Sequence, residues 1–188
     1  MINDMIEQAL GALRGGGTLL YPTDTIWGIG CDATNAAAVE RIYAIKKRDH
    51  SKSMLILVSE TMLSAELPEG VRTLLLGDGR PTTVVVPASY VDAALPDNLL
   101  AADGTVGVRV PRMDFCQALL SRFGRPVVST SANFSGKPSP QGYADIEEAL
   151  KRRVDFCLSD APQFRHPATG ASRILKVEAD GTVAVIRG

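Results

Sequence analysis

The residues best suited to chemistry form a dense cationic segment, Arg41–Lys52, which reads RIYAIKKRDHSK. It holds five basic residues and one acidic residue, about +4 in a chain whose net charge is −1. Lys46 falls on the same helical stripe as Ile42, which predicts that it points toward the protein body. Beyond the helix end, Arg48 and Lys52 could converge on a phosphate or carboxylate, because guanidinium and ammonium groups bind such anions. The alternative is an ordinary basic helix terminus that complements the helix dipole.

Two polar segments follow predicted buried strands, and both could line a ligand site. Tyr21–Gly30, YPTDTIWGIG, brings hydroxyls, a carboxylate and two glycines to a strand end, where α/β folds favour ligand sites. The alternative there is an ordinary turn with local hydrogen bonds. In Ser129–Ser139, STSANFSGKPS, Ser131 and Asn133 would point the same way from an extended backbone. This segment is not a P-loop, because Pro138 follows the lysine where Ser or Thr is required.

Isolated arginines and a third polar segment add to the candidates. Arg109 lies inside a predicted strand, where a buried cation needs a partner, and a structural ion pair is an equally good interpretation. Thr169–Ile174 again places small polar residues before a strand, and Arg187 is the penultimate residue, a position that is usually solvated. The histidines, His50 and His166, lie in no recognisable motif, and GxSxG, HExxH and GxGxxG motifs are absent. We therefore expect catalysis by positioning and electrostatic stabilisation rather than by a protein nucleophile.

The overall composition restricts the class of partner and the compartment. Twenty basic and 21 acidic residues, with 5% aromatics, argue against a broad polycationic surface and against a base-stacking RNA platform. The three cysteines, Cys31, Cys116 and Cys157, are far apart and include no CxxC pair, so neither a disulfide framework nor a zinc site is expected. With no long apolar run and no cationic leader at the N-terminus, we expect a cytoplasmic protein with no membrane partner.

The elements that must position these residues alternate between helices and strands, which predicts one α/β domain over residues 1–188. Since the pattern includes both hairpins and crossovers, the sheet should be mixed. The predicted helices are a first one capped by Asn3 or Asp4 and ended by Gly15–Gly17, then Asn35–Lys47, Val71–Leu76, Asp114–Phe123 and Ile146–Arg153. The predicted strands are Thr18–Tyr21, Met54–Val58, Thr83–Val86, Val106–Val110, Pro126–Ser129, Phe156–Leu158, Arg173–Val177 and Val183–Ile186, the last two joined by a turn at Asp180 and Gly181.

Taken together, these segments resemble the YrdC-like family of threonylcarbamoyl-AMP synthases over nearly the whole chain. Each motif alone is weak, but their occurrence in the family's order is specific. The matching motifs are Pro22–Thr25 with Gly28–Gly30, Lys46–Arg48 as the K-x-R, Val108–Pro111, Ser129–Asn133 with Ser135 and Gly136 as the S-x-N signature, Gly170–Ser172, and Ile186–Gly188.

The resemblance implies a twisted mixed sheet with flanking helices around a large cationic cavity. It implies a nucleotidyltransferase that condenses L-threonine, bicarbonate and ATP into threonylcarbamoyl-adenylate and pyrophosphate. The product would pass to a separate transferase complex that makes the t6A modification of tRNA, and weak direct contact with tRNA is a further expectation. Mg²⁺ would arrive with ATP, because the sequence shows no carboxylate cluster to hold it independently. The chain length resembles that of the short bacterial form.

The resemblance also assigns roles to individual residues. Lys46 and Arg48 would be catalytic, with Lys46 at the phosphate or carbamate charge, and Arg109 would bind the threonine carboxylate. The residues implied in ATP binding are Arg48, Lys52, Thr105, Ser131, Asn133, Ser139 and Arg187. The residues implied in threonine binding are Thr25, Arg109, Ser129 and Ser172. No metal ligand is assigned to the protein itself.

Two other functions stay open at the level of sequence. A cationic concavity suits RNA as well as a nucleotide, so an RNA-binding module in tRNA or ribosome maturation is the second hypothesis. A carbamoyl-transfer domain of the hydrogenase-maturation type is the third, and the missing acylphosphatase and zinc-finger segments disfavour it. The near-zero net charge favours a small polyanion such as ATP over a long one.

Overall fold

The computed structural model describes residues 2–77, 79–160, 170–178, 180 and 182–188. Thr169, His166 and Gly181, which the sequence analysis singled out, lie outside these ranges. The described helices are α1 (Ile2–Arg14), α2 (Ala36–Lys46), α3 (Glu69–Leu76), α4 (Asp114–Phe123) and α5 (Glu148–Lys151). The described strands are β1 (Thr18–Tyr21), β2 (Gly28–Cys31), β3 (Leu55–Leu57), β4 (Thr82–Pro87), β5 (Thr105–Arg109), β6 (Val127–Ser131), β7 (Phe156–Cys157), β8 (Arg173–Val177) and β9 (Val183–Arg187).

The strands form one mixed sheet in the order β7-β1-β2-β6-β3-β5-β4-β8-β9. The pairs β1–β7, β3–β5 and β4–β8 are parallel, and the other neighbours are antiparallel. β1 and β2 form a hairpin, whereas the chain between β3 and β5 crosses over through α3 and β4. The sequence-based prediction of an α/β fold with a mixed sheet is therefore confirmed.

The segment Gly28–Cys31 differs from the expectation, which placed it in a polar loop. It forms β2, whose residues are all buried and pair with β1 on one side and β6 on the other. A Cβ on Gly30 would overlap the carbonyl oxygen of Val128 in β6. Because glycine has no side chain, β2 can lie this close to β6 and join β1 to β6 in one sheet.

Several element boundaries differ from the prediction by a few residues. α2 ends at Lys46 rather than Lys47, because Lys47 adopts a left-handed backbone (φ 51°) that terminates the helix. β6 runs to Ser131 instead of stopping at Ser129, so part of the polar segment belongs to the sheet. α5 and β7 are both shorter than predicted.

The sheet presents one face to the apolar core and the other to a cavity. In β5, Val106 and Val108 belong to the core, whereas Gly107 and Arg109 line the cavity, as strand alternation requires. Since the core is a single continuous cluster that includes residues of α1, α2 and α4, the cavity face rests on a rigid support. Within the described ranges, no helix is long and apolar enough to cross a bilayer.

Candidate functional site

A cavity of about 280 Å³ lies on the polar face of the sheet. Its wall consists of residues from six central strands, the loop after β1, the segment after α2 and the end of β9. Eight of the twelve residues that the sequence assigned to a site lie in this wall, namely Thr25, Arg48, Arg109, Ser129, Ser131, Ser139, Ser172 and Arg187. The fold thus brings together segments that are up to 160 residues apart in the chain, although the ligand role of each residue stays a prediction.

The ionisable side chains of the described cavity wall are all cationic. The wall contains three arginines, Arg48, Arg109 and Arg187, several Ser and Thr hydroxyls, and no Asp, Glu, His, Lys or Cys among the described residues. Such a wall binds anions through guanidinium groups and hydroxyl donors. It supplies no general base, nor any base that could activate a serine as a nucleophile.

Arg48 is held at the cavity by main-chain carbonyl groups. Its Nε donates to the carbonyl oxygen of Lys52 at 2.8 Å, and its Nη2 donates to that of Ser53 at 2.8 Å. Burial lowers the pKa of Arg48 from its ordinary value, and these two neutral acceptors leave its charge available to an anion. The structure does not bring the side chain of Lys52 to the cavity, because that residue is exposed and contributes its carbonyl oxygen instead.

Arg109 is 3% exposed and has a carboxylate partner. Its Nη1 donates to Asp24 Oδ1 at 2.5 Å, and Asp24 Oδ2 accepts the main-chain N–H of Arg112 at 3.0 Å. The ion pair that the sequence analysis offered as an alternative is therefore present, and Arg109 lines the cavity as well. The buried Nε of Arg109 has no hydrogen-bond partner among the described residues.

Arg187 lines the cavity wall and, as expected of a penultimate residue, is exposed to solvent as well. Its Nε and Nη2 donate to the carbonyl oxygen of Ser172 at 3.0 and 2.6 Å. The Ser172 hydroxyl in turn lies 2.8 Å from the hydroxyl of Thr83, a buried pair. Burial lowers the pKa of Arg187 from its ordinary value. The last strand therefore adds to the cavity wall a cation that donates to a neutral acceptor.

Thr23 is a cavity residue that the sequence analysis did not single out. Its hydroxyl donates to the carbonyl oxygen of Ile26 at 2.7 Å and lies 2.9 Å from the hydroxyl of Thr25. Since the single proton of Thr23 goes to Ile26, the Thr25 hydroxyl is the donor in the shared bond. Thr25 is thereby left as an acceptor toward a ligand. Thr83 and Gly107 also line the cavity without any signal in the sequence, because they sit inside ordinary strands.

The Lys46 side chain points inward as predicted, but its hydrogen bonds are to main-chain atoms. It is 1% exposed, and its Nζ donates to the carbonyl oxygens of Ser131 and Asn133 at 2.5 and 2.7 Å. Burial and the nearby charge of Arg48 lower the pKa of Lys46 to about 7. Because Lys46 does not line the cavity, the structure does not place it at a phosphate or carbamate. It contacts the main chain at the end of β6, which carries Ser131, and at the start of the loop that follows.

Two further predicted residues lie outside the cavity wall. Asn133 follows the end of β6, where the chain turns, and its Nδ2 donates to the carbonyl oxygens of Phe134 and Lys137. The expected alternation with Ser131 fails there because the strand stops at Ser131. Thr105 begins β5, at the opposite end from Arg109, and its hydroxyl donates to Asp103 at 2.6 Å. The structure thus brings neither side chain into the cavity.

No metal centre or thiol site is found among the described residues. These residues contain no group of three or more His, Cys, Asp or Glu side chains that could hold a metal ion. The three cysteines are free. Burial raises the pKa of the Cys116 thiol to about 12 and that of the Cys31 thiol well above its ordinary range, so neither is a reactive thiolate near neutral pH.

The fold and the site define a class, an α/β protein with a cavity whose described wall is lined by arginines and hydroxyls. A family model, Sua5_yciO_yrdC, whose description is "Telomere recombination", matches residues 11–188. Because this match spans nearly the whole chain, the protein belongs to the Sua5/YciO/YrdC family, as the sequence predicted.

Individual relatives agree with this assignment. A protein named threonylcarbamoyl-AMP synthase from Vibrio vulnificus (strain YJ016) is 32% identical over 171 residues, 86% of this chain and 89% of that protein. The crystal structure of P. abyssi Sua5 complexed with L-threonine matches with a TM-score of 0.82 and 26% identity over 97% of this chain, which spans 53% of that Sua5 chain. The crystal structure of E. coli YciO matches in fold, with a TM-score of 0.77 and 24% identity over 98% of this chain and 88% of that one.

Proposed function

We propose that the protein is a threonylcarbamoyl-AMP synthase, a nucleotidyltransferase that condenses L-threonine, bicarbonate and ATP. The observation that carries the proposal is a cavity whose described wall combines three arginines with hydroxyls. This wall has no Asp, Glu, His, Lys or Cys side chain that could act as a general acid or base. The names of the curated relatives and the L-threonine complex of P. abyssi Sua5 support it. A reaction between anionic partners needs the positive wall and little acid–base catalysis.

The proposed reaction has two bond-forming steps. The amine of threonine forms a bond to the carbon of bicarbonate and water leaves, which produces a carbamate. A carbamate oxygen then bonds to the α-phosphorus of ATP, the bond to the bridging oxygen breaks, and pyrophosphate leaves with the electron pair. Negative charge shifts onto the leaving oxygens, so the uncompensated guanidinium groups of Arg48 and Arg187 would stabilise the transition state.

The missing carboxylates in the described wall support the carbamate step. A zwitterionic amino acid would place its ammonium in a cavity with three arginines and no acidic side chain, and like charges disfavour each other. The carbamate form carries a negative charge at the same position. Because the described wall has no general base, the ammonium of threonine would give its extra proton to solvent before it reacts. One proton of the resulting free amine would then leave in the water that is formed from bicarbonate.

The cavity residues divide between the two substrates in this proposal. Arg109, with the hydroxyls of Thr25, Ser129 and Ser172, would bind threonine. Arg48, Arg187, Ser131 and Ser139 would bind ATP. The division rests on the family resemblance, and what supports a shared site is that all eight residues line one cavity.

Mg²⁺ enters as part of the substrate, Mg-ATP, in this proposal. The described residues hold no cluster of metal-ligating side chains, whereas phosphate oxygens are ligands that Mg²⁺ prefers. The product would go to a transferase complex that makes t6A in tRNA, and we therefore place the protein in the cytoplasm, where tRNA is used.

Mass spectrometry tests the proposed reaction directly. Purified protein is supplied with L-threonine, ¹³C-bicarbonate and Mg-ATP, and we expect an adenylate that carries the heavy carbon. Pyrophosphate should appear only when all three substrates are present. Arg48→Ala should lower the rate by about 100-fold, as loss of transition-state charge stabilisation does elsewhere. The exposed Arg14→Ala on α1 is the matched control. Release of pyrophosphate without threonine, or an unchanged rate in Arg48→Ala, contradicts the proposal.

RNA binding is a second candidate, favoured by one feature beside the cavity. The charged groups of Lys47, Lys137 and Arg153 lie 5.4–5.7 Å from the ring centre of Phe134. They converge from the end of α2, the loop after β6 and the chain after α5. Glu147 pairs with Lys137 and offsets part of this charge.

Filter binding of a tRNA transcript tests this second candidate. Binding at this cationic cluster should weaken steeply with salt and should fall when Lys47 and Arg153 are both replaced by alanine. RNA binding that the double variant retains would place the contact elsewhere, and no binding at low salt would remove the candidate.

A further inference from the structure

The three arginines of the cavity wall differ in how their charge is balanced. The side chains of Arg48 and Arg187 donate to main-chain carbonyl oxygens, which are neutral. Arg109 alone among these three has an ion pair with a carboxylate in the described structure, that of Asp24. Within the described residues, the wall therefore has two arginines with no paired carboxylate and one charge-balanced guanidinium.

Asp24 is built into its position from two sides. It lies in the loop between β1 and β2, and its side chain is 15% exposed. One oxygen accepts from Arg109 Nη1 at 2.5 Å and the other accepts from the main-chain N–H of Arg112 at 3.0 Å. The main-chain bond fixes the carboxylate independently of Arg109, so the carboxylate can orient the guanidinium rather than follow it.

The consequence for ligands follows from charge. A guanidinium that is 4% exposed and already paired keeps its directional donors but loses most of its net attraction for further negative charge. A monoanionic carboxylate can still bind where Arg109 lines the cavity. A polyphosphate, which gains more from net charge, is drawn instead toward Arg48 and Arg187.

We propose that Asp24 is a positioning and specificity-determining residue that reserves Arg109 for the amino-acid carboxylate by holding its guanidinium and cancelling its charge. The inference rests on the proposed function, since it names how one cavity separates an amino acid from the phosphates of ATP. Asp24 touches no substrate and acts through Arg109.

Calorimetric titration of the full chain tests the separation of the two substrates. Inorganic pyrophosphate is titrated into the protein with and without saturating L-threonine. In the wild type, threonine should leave the dissociation constant of pyrophosphate unchanged. In Asp24→Asn, which keeps the shape and removes the charge, pyrophosphate should compete with threonine, and the dissociation constant of threonine should rise about tenfold.

Asp32→Asn is the matched control, because Asp32 is 3% exposed, pairs with Arg125 at 2.7 Å and does not line the cavity. Asp32→Asn should lose about as much stability as Asp24→Asn, but pyrophosphate should not compete with threonine in this control. If Asp24→Asn fails to fold, the wild-type titration still decides, since competition between pyrophosphate and threonine there overturns the proposal. A folded Asp24→Asn without competition overturns it too. Wild-type binding as expected but no adenylate by mass spectrometry would retain Asp24's role and reject the proposed reaction.

Discussion

Replacement of Lys46 by methionine should lower activity about 100-fold while leaving the chain folded. Lys46 Nζ donates to the carbonyl oxygens of Ser131 and Asn133, and the carbonyl oxygen of Lys46 accepts from the N–H of Ser135 at 2.9 Å. Lys46 therefore fixes the end of β6 and the start of the loop that follows it, from Ser131 to Ser135. Methionine matches the length of the lysine stem and removes the donors, so the loop keeps its packing and loses its anchor.

Two opposing energies set the stability of Lys46→Met. Two buried carbonyl groups lose their donor, at about 1–3 kcal/mol each. In the opposite direction, methionine removes a charge that is costly to bury. The fall in the pKa of Lys46 from 10.5 to about 7 means that the charged side chain lowers the stability of the folded state by on the order of 5 kcal/mol, at about 1.4 kcal/mol per pKa unit. Because these terms are similar, the free energy of unfolding at pH 6 should stay within about 3 kcal/mol of the wild type.

The activity should respond far more strongly than the stability. Ser131 lines the cavity, and displacement of a positioning group by about 1 Å can lower a rate about 100-fold. Pyrophosphate release measures the rate, and urea unfolding measures stability in the same preparations. Lys47→Met is the control, because Lys47 is exposed and lies next to Lys46 in the chain.

The stability difference should also depend on pH with a defined sign. Between pH 7 and 10.5 the unfolded chain binds more protons at Lys46 than the folded chain does, because folding lowers its pKa to about 7. The wild type should therefore gain up to about 1.4 kcal/mol per pH unit relative to Lys46→Met in this window, and nothing below it. If the difference in free energy of unfolding between the wild type and Lys46→Met is constant from pH 7 to 9.5, the lowered pKa of Lys46 is refuted. Full activity in Lys46→Met refutes the anchoring role.

Three further substitutions test the packing and the limits of the cavity. Gly30→Ala should prevent folding or lower the melting temperature sharply, because the added Cβ would overlap the carbonyl oxygen of Val128. Gly11→Ala is the control: no atom lies within 4 Å of its Cβ, so this variant should melt at or above the wild-type temperature, as measured by circular dichroism. Ser172→Ala should cost about 1 kcal/mol in urea unfolding and raise the KM for threonine, since it leaves the Thr83 hydroxyl without its buried partner; equal values for both proteins would contradict this. Thr105→Val should leave the KM for ATP unchanged, because Thr105 lies outside the cavity wall, and a clear rise would restore the contact that the family resemblance implies.

Much of the site was accessible from local sequence patterns. Ser131 and Arg109 could be identified because each belongs to a short motif at a predicted strand. The inward direction of Lys46 followed from helical periodicity, which is a local property. The mixed sheet followed from the alternation of helices and strands along the chain.

The sequence did not reveal the contacts that give these residues their roles. Asn133 and Lys52 have suitable chemistry, yet local backbone geometry turns their side chains away from the cavity. β2 escaped prediction because the glycines at its positions 28 and 30 resemble a loop until the closeness of β6 is known.

The sequence by itself determined the family, the cationic character of the site and the segments that form it. Only the tertiary structure decided which cations remain available to a ligand. Lys46 meets two carbonyl oxygens some 85 residues away and becomes an internal anchor, whereas Arg109 meets Asp24, 85 residues earlier, and becomes a balanced donor. The physical reason is that burial and charge pairing arise from contacts between distant segments, so identical side chains acquire different chemistry once the chain has folded.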